Sequence, residues 1–124
     1  MSPRSEEFMA VARERAALAA TALGAGSPGG AVSAAYYAML YAARAALSEE
    51  DRYAKTHSGT WHLFRETFVL TGRFDDALFA GAERTLPLRL GADYEARPVE
   101  PEEAEAVVEL ARRFLYAIEA LYPD

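Results

Sequence analysis

Cysteine is absent from the 124-residue chain, and histidine occurs only twice. Without cysteine there is no disulfide, no thiolate nucleophile and no zinc site built on thiolates. The two histidines, His57 and His62, are five residues apart, which places them on different faces of a helix and not at the i, i+4 spacing of a helical zinc pair. The sequence therefore predicts no metal site and no other cofactor.

Basic residues are few relative to acidic ones, because 13 Lys and Arg stand against 19 Asp and Glu, for a formal net charge of −6. Sequence-independent binding to nucleic acid depends on cations that neutralise phosphates. We therefore expect any contact with RNA at a local site.

Long apolar runs are missing as well. Arg4, Glu6 and Glu7 interrupt the N-terminus, so it does not have the pattern of a secretory signal. The Ala-rich stretch 16–23 is too short to cross a bilayer. Together with the absence of cysteine, these features predict a soluble, cytoplasmic protein without membrane contact.

Residues that favour strands are sparse, whereas alanine, the strongest helix former, dominates the composition. The length fits one domain, in which folding buries about two-thirds of the surface of the unfolded chain. Apolar spacing and capping residues predict five helices in an all-α, mostly antiparallel bundle. The predicted helices are 3–23, 31–47, 60–70, a fourth from about 74 to 90 with a kink or restart at Pro87, and a fifth from about 101 onwards.

The segment RLGADYEA, residues 89–96, lies where the fourth helical pattern stops. Arg89, Asp93 and Tyr94 are suited to hold a phosphate or a ribose, because a guanidinium grips phosphate oxygens in a fork and a phenol adds a hydrogen bond. The alternative is structural: Arg89 and Asp93 form an ion pair if the helix continues, and Tyr94 becomes a buried ring. Both interpretations remain open.

A polar stripe runs along the second helix, where Tyr37, Tyr41 and Arg44 lie on one side. A base can stack on such rings while Arg44 contacts a phosphate, as in proteins that bind single strands. The same stripe also suits packing against a neighbouring helix or a second subunit. His57 follows in the polar connection 48–59, where it either exchanges protons near neutral pH or helps to cap the third helix.

Three stretches of the chain follow one another: AAYYAMLYAARAAL at 34–47, KTHSGTWHLFRETFVLTGRFD at 55–75 and LRLGADYEARPVEPEEAEAVVELARRFLYAIE at 88–119. Together they resemble the HEPN family (higher eukaryotes and prokaryotes nucleotide-binding domain), in particular its small stand-alone prokaryotic members. The resemblance implies an antiparallel up-and-down bundle of four long helices with a shorter fifth, often paired as a homodimer. It also implies a minimal nucleotidyltransferase as the partner, in a toxin–antitoxin-like context.

Some members of that family are RNA-cleaving toxins, whose motif is an Arg followed four to six residues later by a His. At the position that the resemblance assigns to this motif, the chain has Arg89 but no His, and Tyr94 follows five residues later. A phenol with a pKa near 10 is a weak base at neutral pH. A literal Arg, four residues and His occur at Arg52 and His57, ahead of the third helix.

The residues and the resemblance lead to three hypotheses of different classes. The first is a binding module that contacts a nucleotide or RNA around Arg89 and pairs with a nucleotidyltransferase. The second is a metal-independent endoribonuclease, in which Arg89 stabilises charge on the phosphate and Tyr94 or His57 moves the proton. The third is a protein-interaction bundle in which all of these residues are structural.

Overall fold

Five α-helices make up most of the protein in a computed structural model, which describes residues 1–123 apart from the side chain of Tyr94. The helices are α1 (Pro3–Gly24), α2 (Pro28–Glu49), α3 (His57–Phe64), α4 (Asp76–Tyr94) and α5 (Pro101–Leu121), and a π-helical turn, Arg65–Val69, continues α3. No strand occurs within residues 1–123. The predicted all-α bundle of four long helices and a shorter fifth is confirmed.

Helix α2 lies at the centre of the bundle, because it packs against each of the other four helices. Small side chains cover most of its buried surface, so neighbouring helices approach closely. Few large side chains of α2 are left to contact those neighbours, and Tyr36 is the largest fully buried one in the described part of the chain. The buried alanines of α2 are Ala31, Ala34, Ala35, Ala38, Ala42, Ala43, Ala45 and Ala46.

An aromatic cluster joins α3 and its π-helical turn to the rest of the core. The fully buried ring of Phe64 lies in its middle, with ring centroids 4.9 Å from Phe68 and 5.0 Å from Phe74. Aromatic pairs at such distances contribute about 0.5–1.5 kcal/mol beyond the burial of their area. Trp61 connects this cluster to α2, because its ring N–H donates to the hydroxyl of Tyr36 at 3.2 Å. The short helix α3 is thereby fixed against α2.

Capping side chains set where α3 and α4 begin. The hydroxyl of Thr56 accepts a hydrogen bond from the backbone N–H of Gly59 at 2.9 Å, and the carboxylate of Asp75 accepts one from Leu78 at 3.3 Å. A cap of this kind contributes about 1 kcal/mol to stability. Thr56 is therefore the capping residue of α3, and His57 is the first residue of the helix.

Several predicted boundaries change, and α3 begins at His57 and not at residue 60. Helix α2 begins at Pro28 and not at residue 31, since proline is suited to the first helical position. Helix α4 is one helix that includes Pro87, so of the kink or restart predicted there, the restart does not occur. In residues 1–123, no helix combines the length and the apolar character that crossing a membrane requires.

The segment 89–94 also differs from the prediction, because it lies inside α4 and not at a break between helices. Glycine in a helix costs about 1 kcal/mol relative to alanine, which is why Gly91 suggested a break. The ion pair between Arg89 and Asp93, four residues apart, spans that glycine and supports the helix across it. The helix ends after residue 94, where the carbonyl of Gly91 accepts from the backbone N–H groups of Glu95 and Arg97.

Replacing Phe64 by Ala removes the middle ring of the aromatic cluster, so we expect the free energy of unfolding to fall by about 3–5 kcal/mol. Urea denaturation measures this loss. Leu18→Ala on α1 is the control, because Leu18 is 53% exposed and its truncation costs less than about 0.5 kcal/mol. Equal losses in the two variants would contradict the central position of Phe64.

Candidate functional site

Side chains from α2, from the start of α3 and from the last turns of α4 converge on one region of the bundle. We call this group the Arg89 cluster, and it consists of Tyr36, Tyr37, His57, Arg89 and Asp93. Tyr37 and Arg89 are 52 residues apart in the chain, so the packing of α2 against α4 is what joins them.

Arg89 is only 8% exposed, and its charge is satisfied from several directions. Its Nη2 donates to the hydroxyl of Tyr37 at 2.9 Å, and its Nε lies 3.2 Å from Oδ2 of Asp93. The centre of the guanidinium is 4.8 Å from the ring centroid of Tyr37 and 5.4 Å from that of Tyr36, within the range of a cation–π interaction. The guanidinium thereby joins α4 to α2.

The carboxylate of Asp93 has a further partner on α2. The hydroxyl of Ser33 donates to the same oxygen, Oδ2, at 3.1 Å. The side chain of Asp93 is 29% exposed, so it lies at the rim of the cluster, whereas Arg89 lies beneath it. The ion pair predicted as the structural alternative is therefore present, and it is anchored on a second helix.

The fully buried Tyr36 lies beside the half-buried His57. Burial raises the pKa of the Tyr36 phenol, although the hydrogen bond from Trp61 and the charge of Arg89 act in the opposite direction. The phenol therefore stays protonated at neutral pH. Its oxygen lies 3.5 Å from Nδ1 of His57, a long hydrogen bond in which either group can donate. Tyr36 thus orients the imidazole.

The imidazole of His57 is neutral at pH 7. Burial lowers its pKa from the ordinary value of 6.5, and the positive charges of Arg44 and Arg89 lower it further. With Nδ1 facing Tyr36, the two neutral tautomers differ at Nε2, which presents a lone pair in one and an N–H in the other. The ring can therefore accept a proton or donate a hydrogen bond at that nitrogen.

The rest of the polar stripe on α2 packs against α1. The ring centroid of Tyr41 lies 6.3 Å from that of Phe8, and the guanidinium carbons of Arg15 and Arg44 lie 6.0 and 5.6 Å from the Tyr41 centroid. Of the two packing partners proposed for this stripe, a neighbouring helix is present. Arg15 also lies 5.6 Å from the ring centroid of Tyr37, so positive charge continues along this side of α2.

Arg52 and His57, which the sequence offers as an Arg–His pair, are not in contact in the structure. Nη1 of Arg52 donates to the hydroxyl of Thr67 at 3.2 Å, and no contact joins Arg52 to His57 among the described residues. The arginines whose charges act on His57 are Arg44 and Arg89, from α2 and α4. The side chain of Tyr94 lies outside the described residues, so its role stays a prediction.

A model of the HEPN domain matches residues 5–121. The chain belongs to the HEPN domain family. The resemblance seen in the three sequence stretches is thereby confirmed. Two similar proteins of Methanocaldococcus jannaschii are described as putative toxins. One is 35% identical over 86 residues, or 68% of this chain and 58% of the relative. The other is 32% identical over 85 residues, or 68% of this chain and 63% of the relative.

In this HEPN domain, the fold brings an arginine and a histidine into one cluster although the adjacent sequence motif has no histidine. Arg89 supplies a fixed positive charge, Tyr37 a hydroxyl and His57 a neutral imidazole. Positive charge beside hydrogen-bond donors favours a phosphate, and a neutral imidazole can carry a proton. Among the described residues, no group of three or more His, Cys, Asp or Glu side chains is placed to hold a metal ion.

Sequence reasoning missed Tyr36, Ser33 and Arg15 as members or neighbours of this site. Ser33 lies four residues before the predicted Tyr37 on the same helix, and that spacing was a usable signal, whereas Tyr36 is adjacent to Tyr37 and points to another face of the helix. Arg15 carried no signal, because only the packing of α1 against α2 places it near the tyrosines.

The titration of His57 tests this electrostatic arrangement. We expect its imidazole to titrate below 6.5 in an NMR experiment, and we expect Arg44→Gln to raise that pKa because a nearby positive charge is removed. Arg13→Gln, an exposed arginine of α1, is the control and leaves the pKa unchanged.

The same shift predicts how stability depends on pH. Because folding lowers the pKa of His57, its contribution to stability is fully present above about pH 6.5. This contribution is lost as the pH falls below about 6.5, because His57 of the unfolded chain takes up a proton at a higher pH than His57 of the folded protein. The loss is complete once the pH lies below the pKa of His57 in the folded protein. A His57 pKa above 6.5 would contradict the arrangement.

Proposed function

We propose that this HEPN domain acts as a toxin-like module that binds a nucleotide or RNA at the Arg89 cluster. In the same proposal the domain forms a homodimer and pairs with a minimal nucleotidyltransferase. The family and the description of two relatives as putative toxins support the toxin-like part. The observation that carries the binding part is the buried Arg89 guanidinium bonded to Tyr37 beside a neutral His57.

The binding groups of the cluster are the half-buried Tyr37 and His57, since Arg89 itself is almost enclosed. The oxygen of Tyr37 accepts its hydrogen bond from Arg89, so the proton of the hydroxyl is available to donate to a phosphate oxygen. A hydrogen bond received from a cation makes that hydroxyl a stronger donor. Arg89 therefore acts on a phosphate through Tyr37 and through its charge.

Asp93 restricts which ligand groups the Arg89 cluster can bind. Its carboxylate lies at the rim and is held by Arg89 and Ser33, so a phosphate approaching that edge meets a negative charge. The same carboxylate accepts hydrogen bonds and suits a ribose hydroxyl. In this proposal the phosphate lies on the side of Tyr37 and His57, and the sugar lies on the side of Asp93.

A metal-independent endoribonuclease is the second candidate, and the neutral His57 favours it. In that reaction the 2′-oxygen of RNA attacks the adjacent phosphorus while its proton passes to Nε2 of His57. The bond from phosphorus to the 5′-oxygen breaks, and the imidazolium returns the proton to the leaving 5′-oxygen. The products are a 2′,3′-cyclic phosphate and a 5′-hydroxyl. Tyr94 remains the alternative proton carrier.

An RNA assay in the presence of chelator tests both candidates. Fluorescence anisotropy with a mixed-sequence single-stranded RNA measures binding, and a gel of the same samples detects cleavage. We expect binding by the purified protein, and we expect Tyr37→Phe to weaken it about 2–10-fold, the effect of removing one hydrogen bond. His62→Gln is the control, because His62 lies on α3 with its side chain 73% exposed and paired with Glu66.

Cleavage that disappears in His57→Gln and persists in His62→Gln would establish the endoribonuclease. Binding without cleavage in every lane would establish the binding module alone. Absence of both binding and cleavage, or equal binding by Tyr37→Phe and the unchanged protein, would contradict a nucleotide site at the Arg89 cluster.

A further inference from the structure

A second basic region lies on α1, α2 and the connection before α3. Four cations line one pocket of about 250 Å³ there, together with the rings of Phe8 and Tyr53. We call it the basic pocket, and its cations are Arg4, Arg44, Arg52 and Lys55. Among the described residues, no acidic side chain lines it. Such a concentration of positive charge is unusual in a chain with a formal net charge of −6.

Two acidic residues at the end of α2, near the pocket in sequence, have partners outside the pocket. The carboxylate of Glu49 accepts hydrogen bonds from Ser2 and Ser5, and that of Glu50 is bonded by Arg73 and Tyr122. Within residues 1–123, none of the four pocket cations has a carboxylate within ion-pair distance. The pocket cations therefore form no direct ion pair within residues 1–123, although, besides the hydrogen bond from Tyr122, the charge of Arg52 contributes to lowering the pKa of Glu50.

Two of the cations are held in place without a carboxylate. The guanidinium carbon of Arg4 lies 4.3 Å from the ring centroid of Tyr53, and Arg52 donates to Thr67 at 3.2 Å. Arg44 has a buried Nε without a hydrogen-bond partner in the described residues. The pocket is thus arranged to receive an anion.

We propose that the basic pocket binds the phosphate group of a nucleotide, with the base against the half-exposed ring of Tyr53. Arginine guanidinium groups match the oxygens of a phosphate, and an aromatic ring stacks with any base. Pockets for whole drug-sized ligands have volumes of about 300–1,000 Å³, so this smaller pocket fits the phosphate and part of the sugar.

The pocket lies close to the Arg89 cluster but uses its own residues. Lys55 stands two residues before His57, and Arg44 both lines the pocket and lowers the pKa of His57. The pocket is therefore close enough to His57 for one bound strand to reach both regions. Binding of one phosphate in the pocket requires none of the contacts of Tyr37 or Arg89, so this inference stands independently of the function proposed for the cluster.

Competition binding with a labelled oligouridine tests the pocket. The variant carries Arg52→Gln and Lys55→Gln, and the control carries Arg84→Gln and Arg113→Gln on α4 and α5. All four side chains are exposed and both variants lose two positive charges, so their net charges match. We expect at least a tenfold loss of affinity in the pocket variant only. We also expect the slope of log K against log salt to fall by about 0.7 for each phosphate that the variant no longer neutralises.

Uridine monophosphate and inorganic phosphate serve as competitors in the same assay. Stronger competition by uridine monophosphate, reduced by Tyr53→Leu, supports a nucleotide in the pocket. Equal competition by the two would overturn the role of the base and leave a site for phosphate alone. Equal losses in the pocket and control variants, or no loss in either, would overturn the pocket as a site.

The experiment distinguishes a failure of the pocket inference from a failure of the function proposed for the Arg89 cluster. If Tyr37→Phe weakens binding and the pocket variant does not, the pocket inference is wrong and the function proposed for the Arg89 cluster stands. If only the pocket variant weakens binding, the pocket is the site and the cluster is structural. Equal melting temperatures of all variants ensure that these losses are not caused by unfolding.

Discussion

The permanent charge of Arg89 lies almost entirely inside the bundle, and the arrangement of the site follows from how that charge is satisfied. An isolated buried cation costs several kcal/mol, so its partners must be close and well oriented. Asp93 supplies the opposite charge, the hydroxyl of Tyr37 accepts a hydrogen bond, and the rings of Tyr36 and Tyr37 present their π faces. Because these partners come from α2 and α4, satisfying the charge also fixes the two helices against each other.

A fixed charge of this kind has consequences for its neighbours. Together with burial and Arg44, it holds His57 in the neutral form, and through Tyr37 it presents a polarised hydroxyl. Groups already held in position lose little entropy when a phosphate binds, which favours binding and, in an enzyme, catalysis. Arg44 extends the same positive region towards the basic pocket. The HEPN bundle thus has two neighbouring regions suited to phosphate, although its net charge is negative.

The helices were predictable because their signals are local. Alanine content, apolar spacing and residues such as Pro3 and Pro101 at helix starts indicated all five. The misplaced break at Gly91 shows the limit of such signals, since an ion pair to Asp93 and packing on α2 outweigh the weak helix propensity of one glycine.

The site was predictable only in part. The spacing of Arg89 and Asp93 allowed their ion pair to be foreseen. The contact between Arg89 and Tyr37 joins residues 52 positions apart, and the basic pocket combines Arg4 with residues of the connection before α3. No periodicity in one sequence records such contacts, because they depend on how whole helices pack.

The most direct test of the account is a double-mutant cycle on the hydrogen bond between Tyr37 and Arg89. The free energies of unfolding of the unchanged protein, Tyr37→Phe, Arg89→Met and the double variant are measured by urea denaturation. A charged hydrogen bond in a buried site predicts a coupling energy of about 1–3 kcal/mol. Losses that add within about 0.3 kcal/mol would show that the two residues act independently and would contradict the account.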